Sequence, residues 1–345
     1  MKACIFAYSK TGLKTAERVR EILTDSPVYV PERLTAEGTA GAYLKALPKP
    51  SAPLYEEMFQ SCEALVFVGA LGIAVRSIAP FVKDKKTDPA VICIDELASY
   101  VIPVLSGHLG GANALAEDLA EALSSTAVIT TATDINRRFS VDSFAKAQGF
   151  IISSMENAKH VSAAVLEKEV PVISEKTFKE GGKLPAGLKN TADPGDDTGI
   201  YIGTHIEMPF KRTVRLIPRV LHLGIGCRRG IEKEAVKRAV FEVLEGAGLD
   251  IGAVKDVSSI DLKKEEQGLL AFCEEMNWPI DFYPAEELKQ VQGEFTPSAF
   301  VQSVTGVDNV CERAAMMKSR KLIVKKTAVS GVTVACGEED WEAGL

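Results

Sequence analysis

The feature that most constrains this chain is a junction. The β-prone apolar run of residues 100–105 stops at Ser106-Gly107. His108 follows, then Gly110-Gly111 and Asn113, and a helical pattern opens with Leu115, Leu119 and Leu123 four apart. That spacing puts the leucines on one helix face, so the stretch reads as strand, glycine loop and helix N-terminus. The pattern recurs. The apolar run 64–68 ends in Gly69-Ala70-Leu71-Gly72 before a helix toward Pro80, the run 90–94 leads to Asp95-Glu96, and the run 127–131 leads to Thr133-Asp134. Strands alternating with helices predict an α/β fold with an N-terminal, mostly parallel sheet and helices on both faces. Ligands bind such sheets beyond the carboxyl ends of the strands. Residues 69–76, 95–96, 106–113 and 130–134 are therefore predicted to converge on one cleft.

A second unit of the same kind starts near Pro218, where Val220-Leu221-His222-Leu223 runs into Gly224-Ile225-Gly226-Cys227-Arg228-Arg229-Gly230 and a helical face of Ile231, Ala235, Ala239 and Val243. With 345 residues the chain has room for several cores. We expect a first α/β domain over 1–135, a middle region over 136–216 with an exposed Gly/Pro/Asp-rich linker at 181–199, and a second α/β domain over 217–345.

The loop at 106–113 suggests chemistry. A helix N-terminus presents unpaired N–H groups and partial positive charge. Gly110 and Gly111 let a ligand approach the backbone, and His108 carries the ring that titrates near neutral pH. A packed, capping histidine is the plain alternative. Asp95, Glu96 and Asp134 read equally as loop caps or as partners of His108. Arg76 follows Gly72 by about one turn and is expected to point back at the same cleft. Arg228 beside Gly226 makes a second basic glycine loop, with ligand contact and solvent exposure both open.

Several classes are excluded. Gly224-x-Gly226 lacks the third glycine of a dinucleotide fingerprint, since Arg229 stands there, and the chain holds no P-loop and no G-x-S-x-G elbow. The seven cysteines are scattered and form no C-x-x-C pair, so buried, reduced thiols are expected and no metal site. A net charge of −7 argues against a nucleic-acid partner. No apolar run approaches the roughly 20 residues of a membrane span, and no signal peptide is visible, so we expect a cytoplasmic protein without a membrane partner.

With these residues assembled, the chain resembles the CbiG family of anaerobic cobalamin biosynthesis. The likeness rests on GALGIAVR at 69–76, KTDPAV at 86–91, LSGHLGGAN at 105–113 and ITTATD at 129–134. In the C-terminal part, which resembles CobE, it rests on LGIGCRRG at 223–230, SIDLK at 259–263 and Ser330-Gly331-Val332. Ile225 stands where many relatives carry Cys, which weakens a thiol role there. The resemblance implies hydrolysis of cobalt-precorrin-5A: a δ-lactone opens and acetaldehyde leaves, giving cobalt-precorrin-5B. It implies no cofactor of the protein's own, because cobalt arrives inside the substrate.

On that basis neutral His108 is the candidate general base, oriented by Asp95, Glu96 or Asp134, and the Gly110 and Gly111 amides are candidate oxyanion donors. The catalytic candidates are thus His108, Asp134 and Glu96. Substrate-binding candidates are Gly72, Arg76 and Lys86, then Ser106, Gly107, Gly110, Gly111 and Asn113, then Thr131, Gly226 and Arg228. A non-catalytic carrier of tetrapyrrole intermediates is the competing reading, and a nucleotide-binding regulator a third. The expected partners are a corrinoid substrate, neighbouring pathway enzymes and further copies of the chain as a homo-oligomer.

Overall fold

The structure, a computed structural model, describes all residues except 36–41, 85–86, 179–183 and 194. The chain divides into two compact units, Met1–Lys146 and Ala147–Leu345. Among the described residues no helix is long and apolar enough to cross a membrane.

The first unit is built on a seven-stranded sheet. Its strands are β1 (Ala3–Ala7), β2 (Val28–Val30), β3 (Leu44–Ala46), β4 (Ala64–Val68), β5 (Ala90–Ile94), β6 (Tyr100–Leu105) and β7 (Thr126–Ala127), in the spatial order β3-β2-β1-β4-β5-β6-β7. Side chains alternate between faces, as a strand period of two requires. Ile5, Val66 and Ile92 point into a core covered by helices α1 (Lys10–Ile22) and α4 (Ala112–Leu123). Phe6, Leu65, Phe67 and Cys93 point the other way, under α2 (Ala52–Ser61) and α3 (Leu71–Ile78). Both faces are therefore covered, which is why β1, β4 and β5 are apolar at every position and buried throughout.

One pairing departs from the parallel pattern and corrects the predicted cleft. β5 and β6 run antiparallel, with Ile94 opposite Val101 and Val91 opposite Leu105. The link between them is residues 95–99, far short of the dozen or more that a parallel crossover needs. Asp95 closes this turn: its carboxylate accepts from the amides of Leu97 (3.0 Å) and Tyr100 (2.6 Å). Residues 106–113 consequently emerge at the sheet edge where β5 begins, not where β4 and β5 end. Pro103 stands opposite Ile92 of β5, beside an irregularity in that register, and beyond the part of β6 that β7 pairs, a place where a strand tolerates a missing N–H.

The second unit holds two sheets. The first comprises β8 (Ile151–Ile152), β9 (Val170–Ser174), β10 (Leu188–Lys189), β11 (Thr198–Ile202) and β12 (Arg212–Ile217), ordered β10-β9-β11-β12-β8 with only β8 antiparallel. β10 lies inside the stretch expected to be wholly linker. The second comprises β13 (Leu221–Cys227), β14 (Val254–Ile260), β15 (Ile280–Tyr283), β16 (Lys321–Val329) and β17 (Val332–Glu338), ordered β15-β14-β13-β17-β16. Here β13, β14 and β15 are parallel, while β17 runs antiparallel to both β13 and β16. Gly224 has a packing role: a Cβ there would overlap the backbone of Cys311 and Ala315, so the glycine admits the helix Cys311–Met316 against β13.

Candidate active site

The loop after β6 is a tight coil closed by its own backbone. The amides of Gly111, Ala112 and Asn113 donate to the carbonyls of His108 (3.0 Å), Ser106 (3.1 Å) and Gly107 (2.9 Å). Ser106 Oγ donates to the Asp88 carbonyl at 2.9 Å, fastening the loop to the segment that enters β5. A side chain at Gly110 would collide with Ser106, and one at Gly107 would meet Asn113 Oδ1 at 2.7 Å. Gly111 has φ +84°, where a Cβ is strained. These glycines thus allow the coil to close. That overturns half of the proposed oxyanion hole, because the Gly111 amide is already committed to His108. The Gly110 amide has no acceptor among the described residues.

His108 leans over this coil toward a short helix, α5 (Ala132–Ile135). Its Nε2 lies 3.2 Å from Asp134 Oδ2 and 3.3 Å from Thr133 Oγ1. The side chains of His108 and Asp134 are 18% and 32% exposed. Asn113, nearly buried, donates through Nδ2 to the same Asp134 oxygen (2.6 Å) and to Thr131 Oγ1 (3.0 Å). Asp134 Oδ2 therefore accepts from Asn113 and lies within ion-pair distance of His108. A proton on Nε2 would let the ring donate to Thr133 Oγ1 and face the Asp134 carboxylate. In the neutral ring this leaves the Nδ1 lone pair free, the arrangement a general base requires.

The structure brings His108, Asp134, Asn113, Thr131, Ser106, Gly107, Gly110 and Gly111 together and places the other candidates elsewhere. Gly72 and Arg76 belong to α3, which starts at the carboxyl end of β4, where Gly69 N–H bonds Ile94 O at 2.8 Å. The Arg76 guanidinium folds back over Gly72, with its nitrogens 3.5 and 3.6 Å from where a Cβ would stand. Glu96 sits in the turn after β5, its carbonyl accepting from buried Thr15 Oγ1 at 2.7 Å. These three lie a strand length away from His108, about 16 Å for five residues at 3.3 Å each. Glu96 cannot orient His108, and Arg76 does not share its pocket. The cause is again the antiparallel pairing of β6. Lys86 falls outside the described residues.

Gly226 and Arg228 belong to the second unit. The Gly226 carbonyl accepts from Thr333 Oγ1 (3.2 Å), and the Arg228 amide donates to the Gly331 carbonyl (3.1 Å). The amides of Gly230 and Ile231 are held by Glu266 Oε1 at 2.6 and 3.2 Å, and Lys263 stands 3.3 Å from the other oxygen of that carboxylate. This loop's anion-binding amides are thus already occupied by a side chain of the protein.

Two participants escaped the sequence reading. Thr133, inside the stretch predicted to reach the cleft but not among the candidates, contacts His108 Nε2 beside Asp134. Asp88 is 7% exposed and accepts from the Lys83 amide (2.9 Å) while its carbonyl holds Ser106. Its signal was adjacency to Pro89 at the mouth of an all-apolar strand.

Comparison with known proteins bears on both units. Residues 53–134 match the family model described as cobalamin synthesis G N-terminal, and residues 221–337 match cobalamin synthesis G C-terminus. The chain is 33% identical to a cobalt-precorrin-5A hydrolase of Priestia megaterium, over 96% of this chain and 94% of that one. It is 32% identical to the cobalt-precorrin-5A hydrolase of Salmonella typhimurium, over 96% of each. Its C-terminal part is 33% identical to Protein CobE of a Sinorhizobium species, over 33% of this chain and 77% of that one. Matched in both units and aligned nearly end to end with such relatives, the chain belongs to the cobalamin synthesis G family.

Proposed function

We infer that the chain is a cobalt-precorrin-5A hydrolase, the activity for which its near full-length relatives are named. The observation that carries the activity is one-third identity over 96% of the chain. The observation that carries the mechanism is His108, whose Nε2 lies 3.2 Å from Asp134 and bonds Thr133 Oγ1 while Nδ1 has no partner among the described residues.

In this mechanism water adds to the lactone carbonyl while His108 Nδ1 takes its proton. Asp134 keeps the ring in the right tautomer and stabilises the imidazolium. The Gly110 amide is the remaining backbone donor for the tetrahedral oxyanion. Collapse breaks the acyl C–O bond and frees an alkoxide. That alkoxide becomes the carbonyl of acetaldehyde as the C–C bond to the macrocycle breaks. The electron pair left on the ring carbon takes up a proton, and the one held by His108 is at hand. Water is the only other reactant consumed. Cobalt travels within the substrate, and no resident cofactor is invoked. A cytoplasmic homo-oligomer working beside neighbouring pathway enzymes completes the proposal, and light scattering of the purified protein reads its assembly state.

The test is to incubate purified protein with cobalt-precorrin-5A and follow acetaldehyde with a coupled alcohol dehydrogenase. One acetaldehyde per macrocycle is expected. A protein that binds the substrate and releases none would be a carrier, and the hydrolase reading would fall.

A further inference from the structure

A lysine from another element stands against the coil that carries His108. Lys146 lies in the last turn of α6 (Val141–Gln148). At the start of that helix Ser140 Oγ accepts the Ser143 amide at 3.3 Å. Buried Val141 and Ala145 anchor it, and Phe144 packs on buried Phe139 with ring centroids 5.3 Å apart. Lys146 is exposed, and its side chain runs over Gly111: a Cβ at that glycine would overlap Nζ and lie 3.5 Å from Cε. The missing side chain thus has a second use beside the turn at φ +84°. It leaves room for an ammonium against the backbone whose amide holds the His108 carbonyl.

That ammonium has no hydrogen-bond or ion-pair partner among the described residues, and Asp134 lies beyond ion-pair distance of it. Lysines elsewhere in the chain hold carboxylates: Lys189 pairs with Asp193, Lys233 with Glu275 and Lys318 with Asp281. An ammonium offers three N–H donors and no acceptor, so the partner Lys146 lacks is an anion. The proposed substrate supplies one, because a corrinoid carries acetate and propionate side chains around its rim. A macrocycle that brings its lactone to His108 presents those carboxylates to whatever flanks the coil. A point charge on a flexible stem suits a carboxylate at such a rim.

We propose that Lys146 is a specificity-determining residue of the His108 site that pairs with a peripheral carboxylate of the corrinoid. The role rests on the substrate reading above, but the pairing needs only that the macrocycle bind at this coil, whether or not it is hydrolysed there. Lys146 lies outside both matched stretches, 53–134 and 221–337, so membership of the family assigns it nothing. A peripheral carboxylate keeps its charge while the lactone opens. The ion pair is therefore equally strong in substrate and transition state, and it sets KM and leaves kcat alone.

The experiment compares full-length wild type with Lys146→Met and Lys146→Arg. Acetaldehyde release from cobalt-precorrin-5A gives kcat and KM. Equilibrium dialysis of cobalt-precorrin-5B, which keeps the peripheral carboxylates and is not consumed, gives Kd. Lys146→Met should raise KM and Kd about five- to tenfold and leave kcat within about twofold of wild type. Lys146→Arg keeps the charge and should bring both constants back to within about threefold of wild type. Equal Kd values for wild type and Lys146→Met would overturn the proposal. So would a fall in kcat at unchanged KM, or an arginine variant as weak as the methionine one. The two readings fail separately. Acetaldehyde released with equal Kd values removes the carboxylate pairing and keeps the hydrolase. A Kd difference without acetaldehyde removes the hydrolase and keeps the pairing. A wild type that neither binds nor turns over the macrocycle would overturn both.

Discussion

His108 and His222 each touch one aspartate, at 3.2 and 2.7 Å, but their surroundings give them different work. The His108 side chain is 18% exposed, and one nitrogen is left without a partner among the described residues. The His222 side chain is 2% exposed and engaged on both sides: Nδ1 faces Asp256, and Nε2 lies 3.2 Å from Glu339. Asp256 also receives Lys318, which reaches on to Asp281, while Lys255 holds Glu339 at 2.8 Å. Acidic and basic side chains alternate along this chain. It ties β13, β14 and β15 to the segment after β17. A histidine–aspartate contact is therefore no evidence of catalysis by itself. A free nitrogen in reach of solvent is what separates a base from a rivet.

The comparison breaks first at His108. His108→Ala should lower acetaldehyde release about 10²–10⁴-fold if the ring is the base. Its part-exposed position predicts a urea midpoint change worth no more than about 1 kcal/mol. A near-normal rate would remove His108 from the chemistry.

Asp256→Ala should do the reverse. Removing one partner of a buried ion pair leaves the other uncompensated, at a cost of about 3–5 kcal/mol. Lys318 is partly exposed, so the lower end is expected, read as an earlier urea transition with turnover per folded molecule retained. Acid should echo this loss. Burial alone would raise Asp256, but donors from His222 and Lys318 hold its carboxyl below the ordinary range. A carboxyl depressed in the folded state stabilises above its unfolded pKa, near 4, and that contribution drains away as pH falls further. Wild type should therefore lose stability below about pH 4 through a component that Asp256→Ala lacks. Superimposable acid profiles would show that the network holds nothing.

Asp134→Asn sharpens the contrast from the other side. It keeps the shape but removes the negative charge that faces His108 Nε2. A buried triad aspartate is worth up to about 10⁴-fold. Asp134 is a third exposed, so water can partly replace it, and a loss of about 10–10²-fold in kcat is expected. A drop as large as that of His108→Ala would give Asp134 a direct part in proton transfer.

These two pairs also mark what the sequence reveals. His108, Asp134 and Asn113 were each legible as candidates because each stands at the end of an apolar run or the start of a helix, although Asp134 was one of three acids open as the partner of His108. The His222–Asp256 pair was not, since 34 residues separate its members and only the register of β13 against β14 sets them side by side. The strands β1, β4 and β5 were legible as unbroken apolar runs. β3 was missed, having three residues and an exposed, unpatterned sequence. Gly224 looked like part of a ligand loop, and only the helix Cys311–Met316 shows what its missing side chain makes room for. The direction of β6 was available and misread: a five-residue link permits a hairpin and nothing longer, yet the regular alternation of strands and helices suggested a parallel crossover.

That misreading supplies the smallest predicted effect. Glu96 and His108 are equally prominent in the sequence, both beside strand ends with loop-like neighbours. The hairpin sends them to opposite edges of the sheet, separated by about the length of β5. At that distance across aqueous surface, a charge acts on His108 through a screened interaction, since the Debye length is about 8 Å at physiological salt. Glu96→Gln should therefore leave kcat within about twofold of wild type and leave the acid limb of its pH profile in place. The Glu96 backbone carbonyl that receives Thr15 survives the substitution, so folding should not confuse the result. A hundredfold loss would mean that chemistry takes place where β4 and β5 end, and His108 would then join His222 as a structural residue.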